Sequence, residues 1–224
     1  MTTPPKPTHH PVRVDAELDP SLSRWLWLVK WFLLIPHYVV LFFLWIAFTA
    51  VSVVAFFSIL FTQHYPRSLF DFNLGVLRWS WRVAYYSYGA LATDRYPPFS
   101  LGEESGYPTR LDIDRPPRLS RGLVLVKWWL LAIPHYIVVG LFLGGYHLGG
   151  WDGGLISVLA LIAGVALAFT AAYPRGLFDL VIGLNRWVLR VAAYVALMTD
   201  SYPPFRLDMG GTEPGQHLED LEHL

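Results

Sequence analysis

Two closely similar apolar stretches decide the fold of this chain. Residues 22–38 read LSRWLWLVKWFLLIPHY, and residues 119–136 read LSRGLVLVKWWLLAIPHY. Each places one lysine, one proline and one histidine within a run of leucine, tryptophan and valine. Such a run, with so few charges, is typical of a helix that lies in a membrane. The two stretches also indicate that the chain repeats itself.

The repetition continues far beyond these stretches. Tyr-Pro-Arg occurs at residues 65–67 and 173–175, Arg-Trp at 78–79 and 186–187, and TDRYPPF at 93–99 is matched by TDSYPPF at 199–205. So many matches in register indicate a tandem duplication. We place repeat 1 at residues 12–101 and repeat 2 at residues 107–209, joined by a linker turn at 102–106. A disordered tail (1–11) and a flexible tail (210–224) complete the predicted organisation.

These repeated motifs, RLSRxxxLVKWxLLxIPHY, YPRxLFD and TDxYPPF, resemble a bacterial membrane-protein family known as domain of unknown function 4389. The resemblance covers nearly the whole chain, once in each repeat. It implies a multi-pass membrane protein. It supplies no catalytic residue, cofactor or substrate, so the function has to be argued from the residues.

The composition agrees with a membrane protein. The 224 residues include 54% hydrophobic and only 15% charged residues, whereas a soluble domain carries roughly 25%. With 17 basic and 17 acidic residues the net charge is zero, which argues against a nucleic-acid partner. The chain contains no cysteine, which excludes disulfides, iron–sulfur sites and thiol nucleophiles. The polar first twenty residues lack the features of a cleavable signal, so we expect the first apolar segment to be retained as an anchor.

We therefore predict an all-α integral membrane protein built from two parallel repeats. Each repeat would hold a transmembrane helical hairpin and an amphipathic interfacial helix, with short cytoplasmic β-strands. Alternation of apolar and charged residues predicts strands at 12–18 and 109–113. Residues 99–101 and 205–208 are expected to close the repeats in the same way.

The hairpins follow from length and from glycine. In repeat 2 the glycine-rich GGYHLGGWDGG at 144–154 separates two apolar segments, 119–143 and 155–172. In repeat 1, residues 21–62 amount to about 42 residues, roughly twice the ~20 that one span needs, so we expect a tight turn near Trp45. With four spans every lysine and arginine lies on one side. We therefore expect a plasma-membrane protein with both termini cytoplasmic.

Each repeat also contains a predicted amphipathic helix, at 68–88 in repeat 1 and at 176–198 in repeat 2. On a helical projection Asp71, Gly75, Arg78 and Arg82 share an arc of about 60°. The matching residues of repeat 2 do the same. Two arginines at the centre of a span would cost about 5–7 kcal/mol, so we place these helices in the interface, although a spanning position stays open. The arginines Arg78, Arg82, Arg186 and Arg190 become candidates for binding anionic lipids or a partner, with internal pairing to Asp71 and Asp179 as the alternative.

Lysine and histidine inside the apolar stretches supply further candidates. Lys30 and Lys127 are expected to extend their ammonium groups back to the headgroups. His37 and His135 are intramembrane polar candidates; the alternative is that a neighbouring histidine or tyrosine satisfies the carbonyls freed by Pro36 and Pro134. Two histidines are too few for an ordinary zinc site, so no metal is expected.

A stripe of small residues in the last span predicts close helix packing within the chain or between copies. Its members are Ala160, Gly164, Ala168 and Ala172.

No catalytic or cofactor motif is found, so we expect neither catalytic residues nor cofactors. The favoured function is a non-enzymatic scaffold or accessory subunit that binds a membrane partner or anionic lipids at the cytoplasmic face. A component of a transporter or channel is the second hypothesis. The third is an interfacial lipid-modifying enzyme using His37 or His64 with Asp71. Membrane lipids and either a membrane protein or a second copy are the expected partners.

Overall fold

A small antiparallel sheet joins the two repeats. Strand β1 (Val12–Ala16) pairs with β2 (Thr109–Ile113), so that Val14 lies opposite Leu111. The computed structural model describes residues 10–144 and 154–213, which are mostly helical (58%). In each strand alternate side chains point into the core, as the sequence pattern predicted. Both of these predicted strands are confirmed, the first ending two residues early.

The strands predicted at 99–101 and 205–208 are wrong. These segments form no ladder, and carbonyl groups in or beside them bind arginines. Arg82 donates to the carbonyl oxygens of Ser100 and Gly102, and Arg186 donates to that of Asp208. A guanidinium group has five donors and can take the place of a strand partner.

Repeat 1 contains one very long helix. A 3₁₀ turn (Leu26–Leu28) and the short helix α1 (Lys30–Leu33) lead to α2 (Ile35–Thr62), which is 28 residues long. Pro36 lies in the first turn of α2, where its missing N–H is not needed. The predicted hairpin turn at Trp45 is wrong. The helix continues through this position because no proline or glycine follows Pro36 within it.

The end of α2 is a left-handed cap. Gln63 has φ 63° and its N–H donates to the carbonyl of Ile59. After a short turn the chain enters α3 (Arg67–Tyr86), which corresponds to the first predicted amphipathic helix. The direction of the chain is thus changed at Gln63, and not in the middle of the apolar segment.

Repeat 2 divides the equivalent helix in two. It begins with α4 (Arg121–Val126) and a π-helical turn (Lys127–Leu131), followed by α5 (Ile133–Leu143), α6 (Leu155–Thr170) and α7 (Arg175–Val195). The 11 residues of α5 and the 16 of α6 together correspond to α2. A side chain at Gly154 would lie 2.2 Å from the carbonyl oxygen of Phe142, so α6 begins where α5 ends. Most of the glycine-rich segment predicted as a turn lies outside the described residues.

One described helix, α2, is by itself long and apolar enough to cross a membrane. A second candidate combines 121–131 with 133–143, which are bent by 48° at the break. This is weak support for membrane association.

Helices α3 and α7 form the interior, together with the inner face of the sheet. Trp79 and Trp81 of α3 are buried, whereas a helix lying in the membrane interface would expose such residues. The predicted amphipathic helices exist, but their polar stripe faces the rest of the protein. The segment boundaries at 12–101 and 107–209 remain predictions. Glu213, assigned to the flexible tail, is packed against the rest of the protein and is only 2% exposed.

Each repeat contacts an apolar helix of the other, α6 in one case and α2 in the other. The side chain of Trp27 lies against Gly164 of α6, where a Cβ atom added to the glycine would lie 3.1 Å from the indole ring. Reciprocally, the N–H of Leu119 donates to the carbonyl of Gln63 at the end of α2. Of the predicted small-residue stripe, Ala160 and Gly164 are buried within the chain. Ala168 is half-buried, and Ala172 lies beyond the end of α6 and is exposed.

Candidate functional site

A buried lysine ties the first apolar segment of repeat 1 to the TDRYPPF motif. The ammonium group of Lys30 donates to the carbonyl of Thr93 at 2.7 Å and lies 2.9 Å from the carboxylate of Asp94. It also lies 4.5 Å from the ring centre of Tyr86. Asp94 in turn accepts from the N–H of Ser23. The lysine is thereby neutralised inside the protein.

Repeat 2 reproduces this lysine site. The ammonium group of Lys127 lies 3.0 Å from the carbonyl oxygen of Thr199 and 2.9 Å from the carboxylate of Asp200, near the ring of Tyr194. Both lysines are almost fully buried. The expectation that Lys30 and Lys127 extend to the headgroups is therefore corrected. In each repeat an aspartate carboxylate and a threonine carbonyl lie within bonding distance of the ammonium group. The lysine therefore pairs with them inside the protein and does not extend to the membrane interface.

A histidine cluster lies beside each lysine. In repeat 1 the indole N–H of Trp79 donates to Nδ1 of His37 at 3.0 Å. The imidazole stacks on Phe99, with ring centres 3.9 Å apart, and Tyr96 packs at its side. The sequence repeat therefore brings Pro-His-Tyr, Arg-Trp and TDxYPPF together in space.

The second histidine cluster has the same arrangement. Trp187 donates to Nδ1 of His135 at 3.2 Å, and the imidazole stacks on Phe205 at 4.4 Å. Tyr202 occupies the place of Tyr96. The alternative that these histidines satisfy the carbonyls freed by proline is not what the contacts show. The phenol of Tyr136 does bind one carbonyl of this region, that of Trp128.

The hydrogen bond from tryptophan determines which nitrogen of each imidazole carries the proton. Because Nδ1 accepts a hydrogen bond, the neutral imidazole carries its proton on Nε2. Nε2 of both histidines is buried and has no hydrogen-bond partner among the described residues. Those residues also hold no group of three or more metal-ligating side chains. The clusters can therefore donate one hydrogen bond each, but the described residues cannot chelate a metal there.

The four arginines predicted to bind lipids are turned inward. Arg190 contacts the carboxylates of Asp208 and Glu213, and Arg186 lies 3.0 Å from Glu213. Arg186 also donates to the carbonyls of Val14 and Gly210. Both guanidinium groups and Glu213 are at most 3% exposed. The placement of Arg186 and Arg190 against headgroups is thus corrected.

The two arginines of α3 have similar surroundings. Arg78 donates to the carbonyl of Leu111 at 2.9 Å and pairs with Asp112 at 3.1 Å. Arg82 is 3% exposed and binds backbone carbonyls of residues 100–102. Internal pairing with acids, the alternative interpretation, is therefore found for Arg78, Arg186 and Arg190, although the acids are not Asp71 and Asp179. Within the described part of the chain, Arg82 binds backbone carbonyls only. Burying an arginine is expensive unless its donors are paired, and backbone carbonyls provide several of the partners, although Nε of Arg82 and Nε of Arg190 have none among the described residues.

A polar cleft of about 590 Å³ opens beside the sheet. It lies between the chain following β1 and residues 105–110, and it carries side chains of both charges, including Glu17, Asp19, Arg95 and Arg110. Burial alone would raise the pKa of Asp19. Hydrogen bonds from Ser21 and Thr93 outweigh it and leave the pKa below the usual aspartate value.

Several of these residues were not singled out from the sequence. Asp94, Asp200, Phe99 and Phe205 belong to the repeated TDxYPPF motif, which was used only to define the duplication. Their recurrence beside a repeated buried lysine was the signal available. No sequence pattern pointed to Glu213, because it lies in the segment that was predicted to be a flexible tail.

A family model, described as a domain of unknown function (DUF4389), matches residues 24–100 and 151–206. These two segments cover more than half of the chain. The chain belongs to the DUF4389 family. The first DUF4389 segment contains Lys30, His37 and Asp94, whereas the second begins after Lys127 and His135. No curated protein and no solved structure matches the chain.

Proposed function

We propose that this DUF4389 protein is a membrane-embedded, non-enzymatic module, a scaffold or accessory subunit that holds a membrane partner or anionic lipids at the cytoplasmic face. The observation that carries the proposal is the surface of α2. This helix has 28 residues, yet only 17% of its most apolar window is buried. Leaving such a surface in water costs about 25 cal/mol for every Å² of apolar area.

Exposed apolar side chains occur both on α2 and in repeat 2. On α2 they include Val39, Phe42, Phe43, Ile46, Val53, Val54, Phe57 and Phe61. In repeat 2 they include Leu125, Trp128, Trp129, Leu130, Ile133, Ile137 and Leu141. So many large exposed apolar side chains favour contact with lipid or with another membrane protein.

The sheet supports a topology for the described chain. β1 precedes α2 and β2 follows it, yet the two strands are hydrogen-bonded and must lie on the same side of the membrane. The number of crossings between Ala16 and Thr109 is therefore even. The N–H of Ala16 also donates to the carbonyl of Gly211, so the C-terminal segment shares that side. We propose that this common side is cytoplasmic.

The mode of insertion follows from the charges of α3. If α2 crossed the bilayer, α3 would have to return the chain and carry Arg78 and Arg82 across. Arg78, in the middle of α3, donates to the carbonyl of Leu111 in β2, which holds this part of α3 at the sheet and outside the bilayer. We therefore propose that α2 is embedded in the membrane without crossing it, so that the chain enters and leaves the membrane on the same side. This arrangement replaces the two-hairpin topology.

The contacts of the polar groups favour the scaffold over a transporter. In the apolar helices Thr49 and Thr170 donate to the carbonyls of Trp45 and Ala166, one turn earlier. Ser52 accepts a hydrogen bond from Asn73. A conducting path needs polar groups that are available to the permeant species.

The contacts of the histidines likewise give little support to an interfacial enzyme. His37 binds Trp79, and His64 binds the carbonyl of Thr62. Among the described residues neither histidine contacts Asp71, so the pair expected for acid–base catalysis is not assembled.

Vesicle flotation tests the insertion of α2. The wild type should float with phosphatidylcholine vesicles, whereas a variant with Phe43→Lys and Val54→Lys should not, since each lysine in hydrocarbon costs about 2.5–3.5 kcal/mol. Ser105→Lys, on an exposed polar turn, is the control and should float. If the wild type stays in water as a monodisperse protein without detergent, the proposal fails.

Cysteine labelling tests the topology, because the chain has no native cysteine. Single cysteines at Glu17, Ser105 and Thr212, all outside the core, should react with a membrane-impermeant reagent from the same side. Reaction of Glu17→Cys and Ser105→Cys from opposite sides would require an odd number of crossings between the strands and would overturn the topology.

A further inference from the structure

We infer that three exposed arginines at the C-terminal end of α2 form a binding site for the phosphate of an anionic lipid. They are Arg67, Arg118 and Arg121, and this inference rests on the proposed membrane insertion of α2. It names the lipid site that the four buried arginines cannot provide.

The fold gathers these residues at the same end of one helix. Arg67 is the first residue of α3, directly after the turn that follows Gln63. The N–H of Leu119 donates to the carbonyl of Gln63 at 2.9 Å, which brings residues 118–121 to the same place. Arg121 donates from Nη2 to the carbonyl of Phe61 at 2.8 Å. Two hydrogen bonds thus hold the start of repeat 2 against the end of α2.

The charges of these arginines are not compensated. All three side chains are exposed, and none forms an ion pair within the described part of the chain. Arg121 uses one of its five N–H donors for Phe61. Asp71 lies one turn along α3 from Arg67 but forms no ion pair with it. By contrast, Lys30, Arg78, Arg186 and Arg190 all have a carboxylate partner.

Exposed apolar side chains accompany the arginines. Phe61 is 71% exposed and Phe57 is 51% exposed on the same end of α2. A guanidinium group binds a phosphate through two parallel hydrogen bonds, and neighbouring phenylalanines can contact the acyl chains below it. This combination of groups suits a phospholipid better than free phosphate, which would leave the phenylalanines in water.

Repeat 2 supplies an internal comparison. Arg24 and Arg175 correspond to Arg121 and Arg67, and Phe169 corresponds to Phe61 and is 84% exposed. The residue that corresponds to Arg118 is Ser21. By this correspondence the equivalent of the α2 site has two arginines instead of three, and the described residues show no hydrogen bond that holds Arg24 at the end of α6. It should therefore bind anionic lipid more weakly.

The test uses the full chain reconstituted in phosphatidylcholine bilayers with spin-labelled phosphatidylglycerol or spin-labelled phosphatidylcholine. Electron paramagnetic resonance gives the relative association constant of the two lipids with the protein. We expect a preference for phosphatidylglycerol that falls about fivefold for each arginine replaced by glutamine in Arg67→Gln, Arg118→Gln and Arg121→Gln. High salt should reduce the wild-type preference.

A control removes three positive charges elsewhere: Arg95→Gln, Arg110→Gln and Arg206→Gln, all exposed arginines that pair with acids. This variant should keep the preference. If it loses as much as the first variant, net charge and not a site explains the selectivity, and the inference is overturned. Arg24→Gln with Arg175→Gln should lose less than the variant at the end of α2.

Two further outcomes would also overturn the site. Complete displacement of spin-labelled phosphatidylglycerol by inorganic phosphate at moderate concentration would show a phosphate site without lipid specificity. An unchanged preference in the first triple variant would show that the arginines are not used. A protein that inserts in phosphatidylcholine but shows no preference contradicts only this inference, whereas failure to insert contradicts the proposed function.

Discussion

Arg186 donates two hydrogen bonds to the carbonyl oxygen of Val14, from Nε at 3.2 Å and from Nη2 at 2.8 Å. The donor belongs to the last helix of repeat 2 and the acceptor to the first strand of repeat 1. Arg78 of repeat 1 donates in the same way to Leu111 of β2. Each repeat therefore binds the strand of the other through an arginine, and the sheet is held from both sides.

We predict unequal effects when these two arginines are replaced. Arg186 is fully buried and forms an ion pair with the buried Glu213. Arg78 is 17% exposed and forms an ion pair with Asp112, whose side chain is 39% exposed. Arg186→Gln should lower the free energy of unfolding by about 2–3 kcal/mol, because the buried carbonyl of Val14 loses its guanidinium donor and Glu213 keeps only Arg190 as a cation. Arg78→Gln should cost about 1 kcal/mol.

Denaturant unfolding in detergent micelles measures both variants, with Arg175→Gln as an exposed control that should change little. Equal losses in the free energy of unfolding for Arg186→Gln and Arg78→Gln would contradict the prediction that burial determines how much each arginine contributes.

The buried lysines should be stabilising only together with their aspartates. Lys30→Met removes the cation next to Asp94, and we expect a loss of about 3 kcal/mol in the free energy of unfolding. Lys30→Met combined with Asp94→Asn should recover part of this loss, since no unpaired carboxylate remains. Thermal unfolding followed by circular dichroism provides the comparison, and Lys127→Met with Asp200→Asn repeats it in the other half. Additive losses would contradict the pairing.

The histidine clusters predict a different pattern. His37→Leu leaves the buried indole N–H of Trp79 without an acceptor and should cost about 1–3 kcal/mol. His37→Gln can still accept and should cost less. In a double-mutant cycle, Trp79→Phe should make the His37→Leu substitution less damaging, because the donor is then absent. Independent effects of the two substitutions would show that the hydrogen bond contributes nothing.

Acid should destabilise the fold through two aspartates outside the apolar helices. Burial alone would raise the pKa of Asp208, but its hydrogen bond with Arg190 and the positive charges of Arg190 and Arg206 lower it below the usual value. The pKa of Asp19 is lowered as well. A carboxyl group with a depressed folded-state pKa stabilises the protein above its unfolded pKa, and this contribution is lost as the pH falls through the folded pKa.

We therefore expect the free energy of unfolding to decline as the pH falls below the unfolded aspartate pKa of about 4. Asp208→Asn should be less stable at neutral pH and should show a flatter decline. Unfolding curves at a series of pH values, at constant ionic strength, measure this. A parallel decline in wild type and variant would exclude Asp208 as a source.

The local elements could be predicted to different extents. The strands near Val14 and Leu111 followed from alternation, and the amphipathic helices from a period of 3.6. The turn at Trp45 was placed by length alone, because an apolar segment about twice as long as a span was assumed to fold back. Nothing in the residues around Trp45 breaks a helix, and the chain continues straight through it.

The candidate sites show the same division. The duplication already paired Lys30 with Lys127 and His37 with His135, so the existence of two equivalent sites could be predicted. The partners could not. An arginine stripe on a helix is equally compatible with lipid phosphates outside and with carboxylates inside, because both satisfy the same donors.

The sequence by itself determined the duplication, the types of most helices and strands, and the apolar character that suits a membrane. These properties depend on composition and on residue spacing within a few turns. The tertiary structure alone decided which way the charges point. Whether Arg186 faces a headgroup or Val14 depends on how two repeats, far apart in the chain, are placed against each other. That placement arises from the summed burial of α3, α7 and the sheet, and no local pattern records it.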